Sequence, residues 1–293
     1  MYILDRSKCA TIGALRRQIE AYLSPIYGEW EARSMTRLAF HSIKGWDTTA
    51  IFCASSEPAS DYLIEKMDDL LHRLSEHQPI QYILGEARFY GMDLIVNPSV
   101  LIPRPETAEL VDSIIKQNPD SDLRVLDIGT GSGAIAIALK RNLRFPIVEA
   151  IDISADALMV ARRNARCHGA DIDFRQEDIF KCELPENFYD IIVSNPPYIP
   201  TSEQKDMERN VLDYEPHIAL FVPDDNPLIY YSRIADVAFS SLKSGGKIYF
   251  EINPRFADDL KRMLELNGFV EVRIYDDSMN RRRFIAAETP IPL

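Results

Sequence analysis

The chain has 293 residues, of which 46% are hydrophobic and 27% are charged, and its formal net charge is −12. No apolar run approaches the roughly 18 residues of a membrane-spanning helix, which argues against a membrane protein. A protein that grips a nucleic-acid backbone usually carries a basic face, so the excess of 45 acidic over 33 basic residues argues against direct nucleic-acid binding. The length suits two modest domains.

The four cysteines, at positions 9, 53, 167 and 182, are scattered and form no Cys-x-x-Cys pair. This spacing predicts reduced thiols and no disulfide framework or zinc site. The N-terminus lacks the apolar core of a secretory signal peptide. We therefore expect a cytoplasmic protein that binds no metal, does not associate with a membrane and is a monomer.

Residues 1–75 are predicted to form a small bundle of helices. Apolar side chains recur at helical spacing in three stretches, and Gly28, Gly45 and Pro58 mark the breaks between them. A helical bundle in front of a catalytic domain most often recognises a partner, so substrate recognition is the role we assign to it. Structural support alone is the alternative.

Residues 76–105 are predicted to be a β-hairpin linker. Apolar and polar residues alternate between glycines over residues 80–85, 87–91 and 92–96, which is typical of short paired strands. Two prolines then stiffen the connection, and a helix is expected to start at Glu106 or Thr107. Arg104 and Glu106 are expected either to form an internal ion pair or to touch substrate.

Residues 106–293 alternate strands with helices, which predicts an α/β fold with a doubly wound, mostly parallel sheet. The expected strands cover residues 124–128, 147–151, 172–175, 190–195, 247–252, 270–275 and 283–287. The last strand follows a short connection and is expected to be antiparallel. Gly245 and Gly246 are expected to stop a helix over residues 228–242.

A glycine-rich loop follows the first of these strands. Three glycines in five residues let a backbone approach a ligand closely, and the five are Gly129, Thr130, Gly131, Ser132 and Gly133. Asp152 ends the next strand, 21 residues after Gly131, which is close to the offset of an acid that binds ribose hydroxyls. The pattern suits NAD or another adenosine cofactor, although the Gly-x-Gly-x-x-Gly spacing of NAD sites is absent.

The strand over residues 190–195 runs into Asn195, Pro196, Pro197 and Tyr198. Neither proline can donate a ladder hydrogen bond, so the strand must stop there. Asn195 Oδ1 and the Pro196 carbonyl can each accept one hydrogen of a planar NH2 group, while Tyr198 packs on its face. Alone, this stretch is more often a strand end with a turn. Together with a glycine loop at a neighbouring strand end, it favours a site that modifies a planar nitrogen.

The combination of loop and strand end resembles class I S-adenosylmethionine-dependent methyltransferases that modify a planar nitrogen. Further motifs extend the resemblance over nearly the whole chain, and the set is similar to that of the peptide-chain-release-factor glutamine N5-methyltransferase (PrmC/HemK) family. The motifs are Pro79-Ile80-Gln81-Tyr82-Ile83-Leu84-Gly85, Phe89-Tyr90-Gly91, Leu101-Ile102-Pro103-Arg104-Pro105-Glu106-Thr107, Val125-Leu126-Asp127-Ile128 with the glycine loop, Asn195-Pro196-Pro197-Tyr198, Tyr214-Glu215-Pro216, Leu220-Phe221, and Gly245-Gly246 leading to Glu251-Ile252.

The resemblance implies a class I methyltransferase (Rossmann-like) domain over residues 106–293. It implies transfer of a methyl group from S-adenosyl-L-methionine, with S-adenosyl-L-homocysteine as product. The acceptor would be the side-chain amide N5 of the glutamine in the Gly-Gly-Gln motif of class I peptide chain release factors, in translation termination.

The resemblance also assigns roles to individual residues. The loop from Gly129 to Gly133 would wrap the methionine part of the cofactor, Asp152 would bind its ribose, and Asp178 with Ile179 would bracket its adenine. Asn195 would contact both cofactor and substrate. The catalytic group would comprise Asn195, Pro196 and Tyr198, with Pro197 helping to hold the substrate.

This chain departs from the family pattern at three places. Position 179 is often aromatic in the family, so Ile179 is expected to pack against the adenine without stacking. Residues 222–227 replace a usual Gly-Gly-x-Asp-Gly stretch, and Asn253 replaces a usual glycine. Neither of the last two departures is expected to touch the proposed chemistry.

Three alternatives remain open at the level of sequence. A sister group methylates a glutamine of a large-subunit ribosomal protein and shares Asn-Pro-Pro-Tyr. Adenine N6-methyltransferases of DNA or RNA use the same four residues, although the net charge of −12 weighs against a nucleic-acid substrate. A cofactor-binding sensor without turnover is the third alternative, and the intact Asn195 to Tyr198 set argues against it.

Overall fold

The computed structural model describes residues 3–291, apart from the side chain of Asp206. Residues 1–2 and 292–293, the outer ends of the predicted domain ranges, lie outside the described part. Two compact units divide the chain at Gly85, and the segment Arg209–Tyr214 belongs with the first unit. The first unit has one buried apolar cluster and the second has two. In residues 3–291, no helix is long and apolar enough to cross a membrane.

The first unit is helical, as the apolar spacing predicts. Its helices are α1 (Ile12–Tyr27), α2 (Glu29–Lys44), α3 (Thr48–Cys53), α4 (Asp61–Ser75) and α5 (Ile80–Leu84). Side-chain caps begin three of them, because Thr11, Asp47 and Ser60 each accept a hydrogen bond from a backbone N–H of the first turn. The predicted breaks at Gly28 and Gly45 are confirmed: both glycines have positive φ and end a helix.

The prediction of extended structure at residues 80–84 is wrong. Ile80–Leu84 forms one and a half turns of helix, started by Pro79 and ended by Gly85 in the left-handed conformation. Five residues of alternating polarity fit a strand and a short helix equally well. Burial of Ile80 in the apolar cluster of the unit, with Ile83 and Leu84 packed against that cluster, decides for the helix. The hairpin itself is confirmed, and it consists of β1 (Glu86–Phe89) and β2 (Met92–Ile95).

The second unit contains a seven-stranded sheet with helices on both faces. After the hairpin, the strands of this unit are β3 (Arg124–Ile128), β4 (Ile147–Asp152), β5 (Asp173–Gln176), β6 (Tyr189–Ser194), β7 (Ile199–Pro200), β8 (Phe221–Val222), β9 (Leu242–Glu251), β10 (Val270–Asp276) and β11 (Arg282–Glu288). All of them except β7 and β8, which pair with each other, belong to the seven-stranded sheet. The remaining helices are α6 (Pro105–Gln117), α7 (Ala134–Asn142), α8 (Ala155–Cys167), α9 (Arg209–Leu212, part of the first unit), α10 (Ile229–Ser241) and α11 (Ala257–Leu266).

The strand order of the large sheet is β10-β11-β9-β6-β3-β4-β5. All pairs are parallel except those that β11 makes with its two neighbours, so the predicted antiparallel last strand is confirmed. Alternate strand residues face two separate clusters. Helices α6, α7 and α8 cover one face, and α10 and α11 cover the other. This is a class I methyltransferase fold.

Gly245 and Gly246 do not stop a helix, contrary to the prediction. Helix α10 already ends at Ser241, and both glycines lie inside β9. Gly245 has a φ of +73°, and the pairing of β9 with β6 is irregular in this region. A Cβ on Gly246 would lie 2.8 Å from the Lys243 carbonyl oxygen, so the backbone is too close for a larger residue.

The chain reverses its direction of winding between β3 and β6. From β3 it proceeds outward to β4 and β5, and then returns to place β6 on the other side of β3. Val125 pairs with Ile191 and Ile128 with Ser194, so the two strands end side by side. Ligands of open α/β sheets bind where the strand order reverses in this way.

Candidate active site

The glycine loop after β3 leaves open space beside its backbone. Gly129 and Gly131 have φ values of +73° and +54°, and a Cβ added to either would meet no atom within 4 Å. Gly133 differs, because its Cβ would lie 3.2 Å from the Ala161 Cβ of α8. Two of these glycines therefore leave room for a ligand, and the third allows close packing of a helix.

Buried polar side chains hold the glycine loop in place through hydrogen bonds. Asp127 is fully buried, and its Oδ2 accepts hydrogen bonds from Thr130 Oγ1 (2.7 Å) and the Ala136 backbone N–H (3.2 Å). Burial raises the pKa of Asp127 to about 7. Asn164 of α8 donates to the Ser132 carbonyl at 2.9 Å. These contacts fix the loop before any ligand arrives.

Asp152 stands at the end of β4, next to the loop. Its Oδ2 accepts from the Gly131 backbone N–H at 2.8 Å, and its Oδ1 accepts from the Ser154 N–H at 2.9 Å. Each carboxylate oxygen keeps a further acceptor site, which suits a pair of ribose hydroxyls. Burial raises the pKa of Asp152, and the two N–H donors oppose that effect.

One large cavity of the second unit joins the loop to the end of β6. Its volume is about 1200 Å³ including the part open to solvent, which suffices for a nucleoside-sized ligand. The cavity brings together most of the site residues predicted from the sequence. They are Gly129, Thr130, Gly131, Ser132, Asp152, Asp178, Ile179, Asn195, Pro196 and Pro197. Gly133 and Tyr198 do not line it.

An aromatic pair lies beside the predicted adenine position. Asp178 is held by Lys181 at 2.9 Å and by the Phe180 backbone N–H at 3.0 Å, and these contacts lower the pKa of its carboxyl. Ile179 belongs to a buried apolar cluster and also lines the cavity. The rings of Phe180 and Tyr230 meet edge to face at 5.1 Å, and both line the cavity. Sequence reasoning missed this pair, because Tyr230 comes from α10, far away in the chain.

The end of β6 presents Asn195 and Pro196 to the same cavity. Ser194, the last residue of β6, donates to the Ile128 carbonyl at 2.7 Å and so fixes the two strand ends together. Among the residues that the structure describes, none donates a hydrogen bond to Asn195 Oδ1 or to the Pro196 carbonyl oxygen. Both acceptors therefore remain available for a ligand's N–H groups.

Tyr198 follows the end of β6 but does not line the cavity. Its ring packs against the buried cluster under α10 and α11, and its hydroxyl donates to Glu251 Oε1 at 3.2 Å. Glu251 Oε2 accepts from Thr107 Oγ1 at 2.6 Å, and Asn195 Nδ2 donates to Thr107 Oγ1 at 3.4 Å. Burial, followed by the charge of Glu251, raises the pKa of the Tyr198 hydroxyl, which therefore stays protonated. Thr107 and Glu251 each lie in a motif that carries the family resemblance, but nothing in the sequence connects them to Asn195.

Two expectations are corrected around the site, and a third stays a prediction. Arg104 and Glu106 do not pair with each other: Arg104 contacts Glu215 at 2.5 Å, and Glu106 contacts Arg281 at 3.2 Å. The helix α6 begins at Pro105, one residue before the earlier of the two predicted starts. Asn253 donates through Nδ2 to the Tyr198 carbonyl at 3.3 Å, and its expected lack of contact with the proposed chemistry stays a prediction.

Comparisons with known proteins agree with this geometry. A family described as "Methyltransferase domain" matches residues 119–268, and one described as "PrmC N-terminal domain" matches residues 14–85. The release factor glutamine methyltransferase of Bacteroides thetaiotaomicron is 45% identical over 92% of this chain and 97% of that protein. The chain belongs to the release factor glutamine methyltransferase family. A second member, from Flavobacterium psychrophilum, is 40% identical over 92% of this chain and 96% of its own length.

A solved structure supports the fold of the family's catalytic part. A methyltransferase from Pyrococcus furiosus superposes with a TM-score of 0.52 and 18% sequence identity. The match covers 76% of this chain and 99% of that one. At this identity the likeness concerns the fold alone.

Proposed function

We propose that this chain transfers a methyl group from S-adenosyl-L-methionine to the side-chain amide N5 of a glutamine, namely that of the Gly-Gly-Gln motif of class I peptide chain release factors. The observation that carries the proposal is the pair of open acceptors, Asn195 Oδ1 and the Pro196 carbonyl, in one cavity with the glycine loop. A primary amide offers two N–H groups to two such acceptors. Membership of the family supports the choice of substrate.

The residues around the loop fit S-adenosyl-L-methionine. Open space beside Gly129 and Gly131 accommodates the methionine part, and the spare acceptor sites of Asp152 suit ribose hydroxyls. The surface near Asp178 and Ile179, with its neighbouring aromatic pair, suits a planar base. When bound, the cofactor supplies an electrophilic methyl group on a sulfonium.

The protein's own residues act on the substrate amide. A carboxamide nitrogen is a weak nucleophile because its lone pair is delocalised into the carbonyl. Asn195 Oδ1 and the Pro196 carbonyl would hold its two N–H bonds and aim the nitrogen at the methyl group. Positioning of this kind contributes on the order of 7–11 kcal/mol to lowering a barrier. The nitrogen would gain a bond to the methyl carbon as the bond between that carbon and sulfur breaks. Positive charge develops on the nitrogen, and the same two acceptors would stabilise it until one N–H proton is lost to solvent, to which the cavity is open.

Further expectations follow from this proposal. Release factors act on the translating ribosome, so we place the reaction in the cytoplasm, with a protein substrate and no direct nucleic-acid contact. The helical first unit would help to recognise the release factor. The enzyme would act as a monomer.

A methyl-transfer assay with labelled S-adenosyl-L-methionine tests the proposal. Three acceptors are compared: a class I release factor, the same factor with the Gly-Gly-Gln glutamine changed to alanine, and duplex DNA. We expect label on the intact factor only. Label that persists after the alanine change, or that appears on DNA alone, would refute the assignment of the substrate.

The variant Asn195→Ala tests the role of the acceptor in the same assay. We expect turnover to be lost, while the affinity for S-adenosyl-L-methionine, measured by calorimetry, stays within a few-fold. Near-full activity of this variant would remove the role assigned to Asn195.

A further inference from the structure

We infer that Thr107 and Glu251 are positioning residues that fix which way the side-chain amide of Asn195 points. The inference rests on the proposed function, because it concerns the acceptor that would hold the substrate amide. Both residues are almost completely buried: Thr107 is 4% exposed and Glu251 is 1% exposed. Thr107 belongs to α6 and Glu251 ends β9, so the tertiary fold brings them to the end of β6.

The direction of each hydrogen bond follows from the donor capacity of the groups. Glu251 in its ionised form can only accept, so Thr107 donates its single hydroxyl hydrogen to Glu251 Oε2. Their distance of 2.6 Å is typical of a charge-assisted O–H to carboxylate bond. Thr107 Oγ1 then has only lone pairs left, and it can only accept from its other neighbour. That neighbour must be the NH2 group of Asn195.

This chain of bonds determines the orientation of Asn195. With Nδ2 directed at Thr107, Oδ1 is left as the free acceptor of the side chain. In the opposite orientation, Oδ1 would face an oxygen that has no hydrogen to give, and an N–H would face the donors of the substrate. The Asn195 to Thr107 distance of 3.4 Å is long. Such bonds often shorten when the substrate is bound.

The carboxylate of Glu251 also holds the neighbouring Tyr198. Its hydroxyl donates to the other oxygen of Glu251, and its carbonyl accepts from Asn253, the residue that replaces the family's usual glycine. Burial raises the pKa of Glu251, while the hydrogen bond from Thr107 and the positive charge of Arg283 lower it and so favour the carboxylate. The Glu251 carboxylate thus orients both ends of the Asn195 to Tyr198 segment, because the hydroxyls of Thr107 and Tyr198 both donate to it.

A matched pair of substitutions separates the hydroxyl from the shape of Thr107. Thr107→Val preserves the branched shape and removes the hydroxyl, while Thr107→Ser keeps the hydroxyl and removes a methyl group. We expect kcat of Thr107→Val to fall roughly 10- to 100-fold, since small misplacements of a reacting group have effects of this size. We expect Thr107→Ser to keep most of its activity. KM for the release factor and the affinity for S-adenosyl-L-methionine should change little in either variant.

Two further variants sharpen the comparison. Glu251→Leu has a similar size and removes both acceptor oxygens, so it should lower kcat in the same way as Thr107→Val. Tyr231→Phe is the control, because Tyr231 donates to the backbone carbonyl of Glu251, at 2.9 Å, and not to its carboxylate. It removes a buried hydroxyl from the same region and should leave kcat within about two-fold.

A spectroscopic measurement reads the hydrogen bond without any turnover. In protein labelled with 15N-asparagine, the side-chain NH2 resonances of Asn195 are identified by their loss in Asn195→Ala. Thr107→Val should shift these resonances, and Thr107→Ser should leave them close to their original positions. This result would support the inference even if the acceptor proved not to be a release factor.

The outcomes separate the inference from the proposed function. Wild-type kcat in Thr107→Val, or unchanged Asn195 resonances, would overturn the inference while leaving the proposed function intact. Equal losses in Thr107→Val and Thr107→Ser would also overturn it, because they would assign the effect to packing. Absence of methyl transfer to the release factor by the wild-type enzyme would instead refute the proposed function.

Discussion

The buried carboxylate of Glu215 allows a quantitative test of how one wall of the cavity is held. Its side chain is 1% exposed, pairs with Arg104 at 2.5 Å and accepts from the Ile102 backbone N–H at 3.2 Å. Arg104→Met keeps an aliphatic stem and leaves the carboxylate with one donor. Breaking a buried pair costs about 3–5 kcal/mol, and because Arg104 is 33% exposed we expect the lower end, about 3 kcal/mol of unfolding free energy.

The assay is thermal and urea unfolding without cofactor, followed by circular dichroism. A loss of about 3 kcal/mol corresponds to a fall in Tm of about 6–12 °C for a unit of this size. The control is Arg88→Met, since Arg88 pairs with Asp93 at 2.8 Å but the two side chains are 65% and 57% exposed. An exposed pair of this kind contributes about 0–1 kcal/mol.

A double variant completes the test. Adding Glu215→Gln to Arg104→Met removes the unpaired buried charge, so it should recover more than half of the lost stability. The reasoning is refuted if Arg104→Met unfolds as the Arg88→Met control does. It is refuted equally if the double variant is no more stable than the single one.

Three further predictions concern the cofactor side of the cavity. Asp152→Ala should weaken S-adenosyl-L-methionine binding at least ten-fold, as measured by calorimetry. The loss of one hydrogen bond to a charged group corresponds to on the order of 1.4 kcal/mol or more. Unchanged affinity would remove the ribose assignment. Phe180→Ala should also weaken S-adenosyl-L-methionine binding. The control is Phe145→Ala, which removes a ring that is 79% exposed and outside the cavity and should leave the affinity unchanged. Equal affinities of the two variants would exclude a role for the Phe180 ring. Asp127 has a pKa of about 7 in the folded protein against an ordinary value of 3.8, so the folded state holds the proton more tightly and stability falls as pH rises between these values. Asp127→Asn should reduce that fall in urea unfolding between pH 4.5 and 7.5, and an identical pH dependence in both proteins would contradict the assignment.

The strands and helices of the second unit could be predicted from the sequence because their determinants are local. The apolar runs of β3, β4 and β6 and the helical stripes of α7 and α8 each specify an element without reference to the rest of the chain. The glycine loop and the strand end at Asn195 are equally local, since each depends on the φ range of glycine or on the missing N–H of proline.

The errors fall where two local structures are equally compatible with a short run. Residues 80–84 alternate in polarity, and only their burial among the other helices of the first unit makes them helical. Gly245 and Gly246 suggest a helix stop, but their backbones exchange hydrogen bonds with Thr289, just after β11, and they lie in β9. In both cases the tertiary packing decides, because a few residues carry too little intrinsic preference to resist it.

The sequence by itself determined the fold class, the family motifs and the two ends of the site, the glycine loop and the Asn195 to Tyr198 segment. Only the tertiary structure decided what surrounds Asn195. Thr107 stands 88 residues before it in the chain, and Glu251 is brought beside it by the sheet, in which β9 is the neighbour of β6. A hydrogen bond depends on the distance and direction between two groups in space, and the chain encodes these only through the packing of the whole sheet.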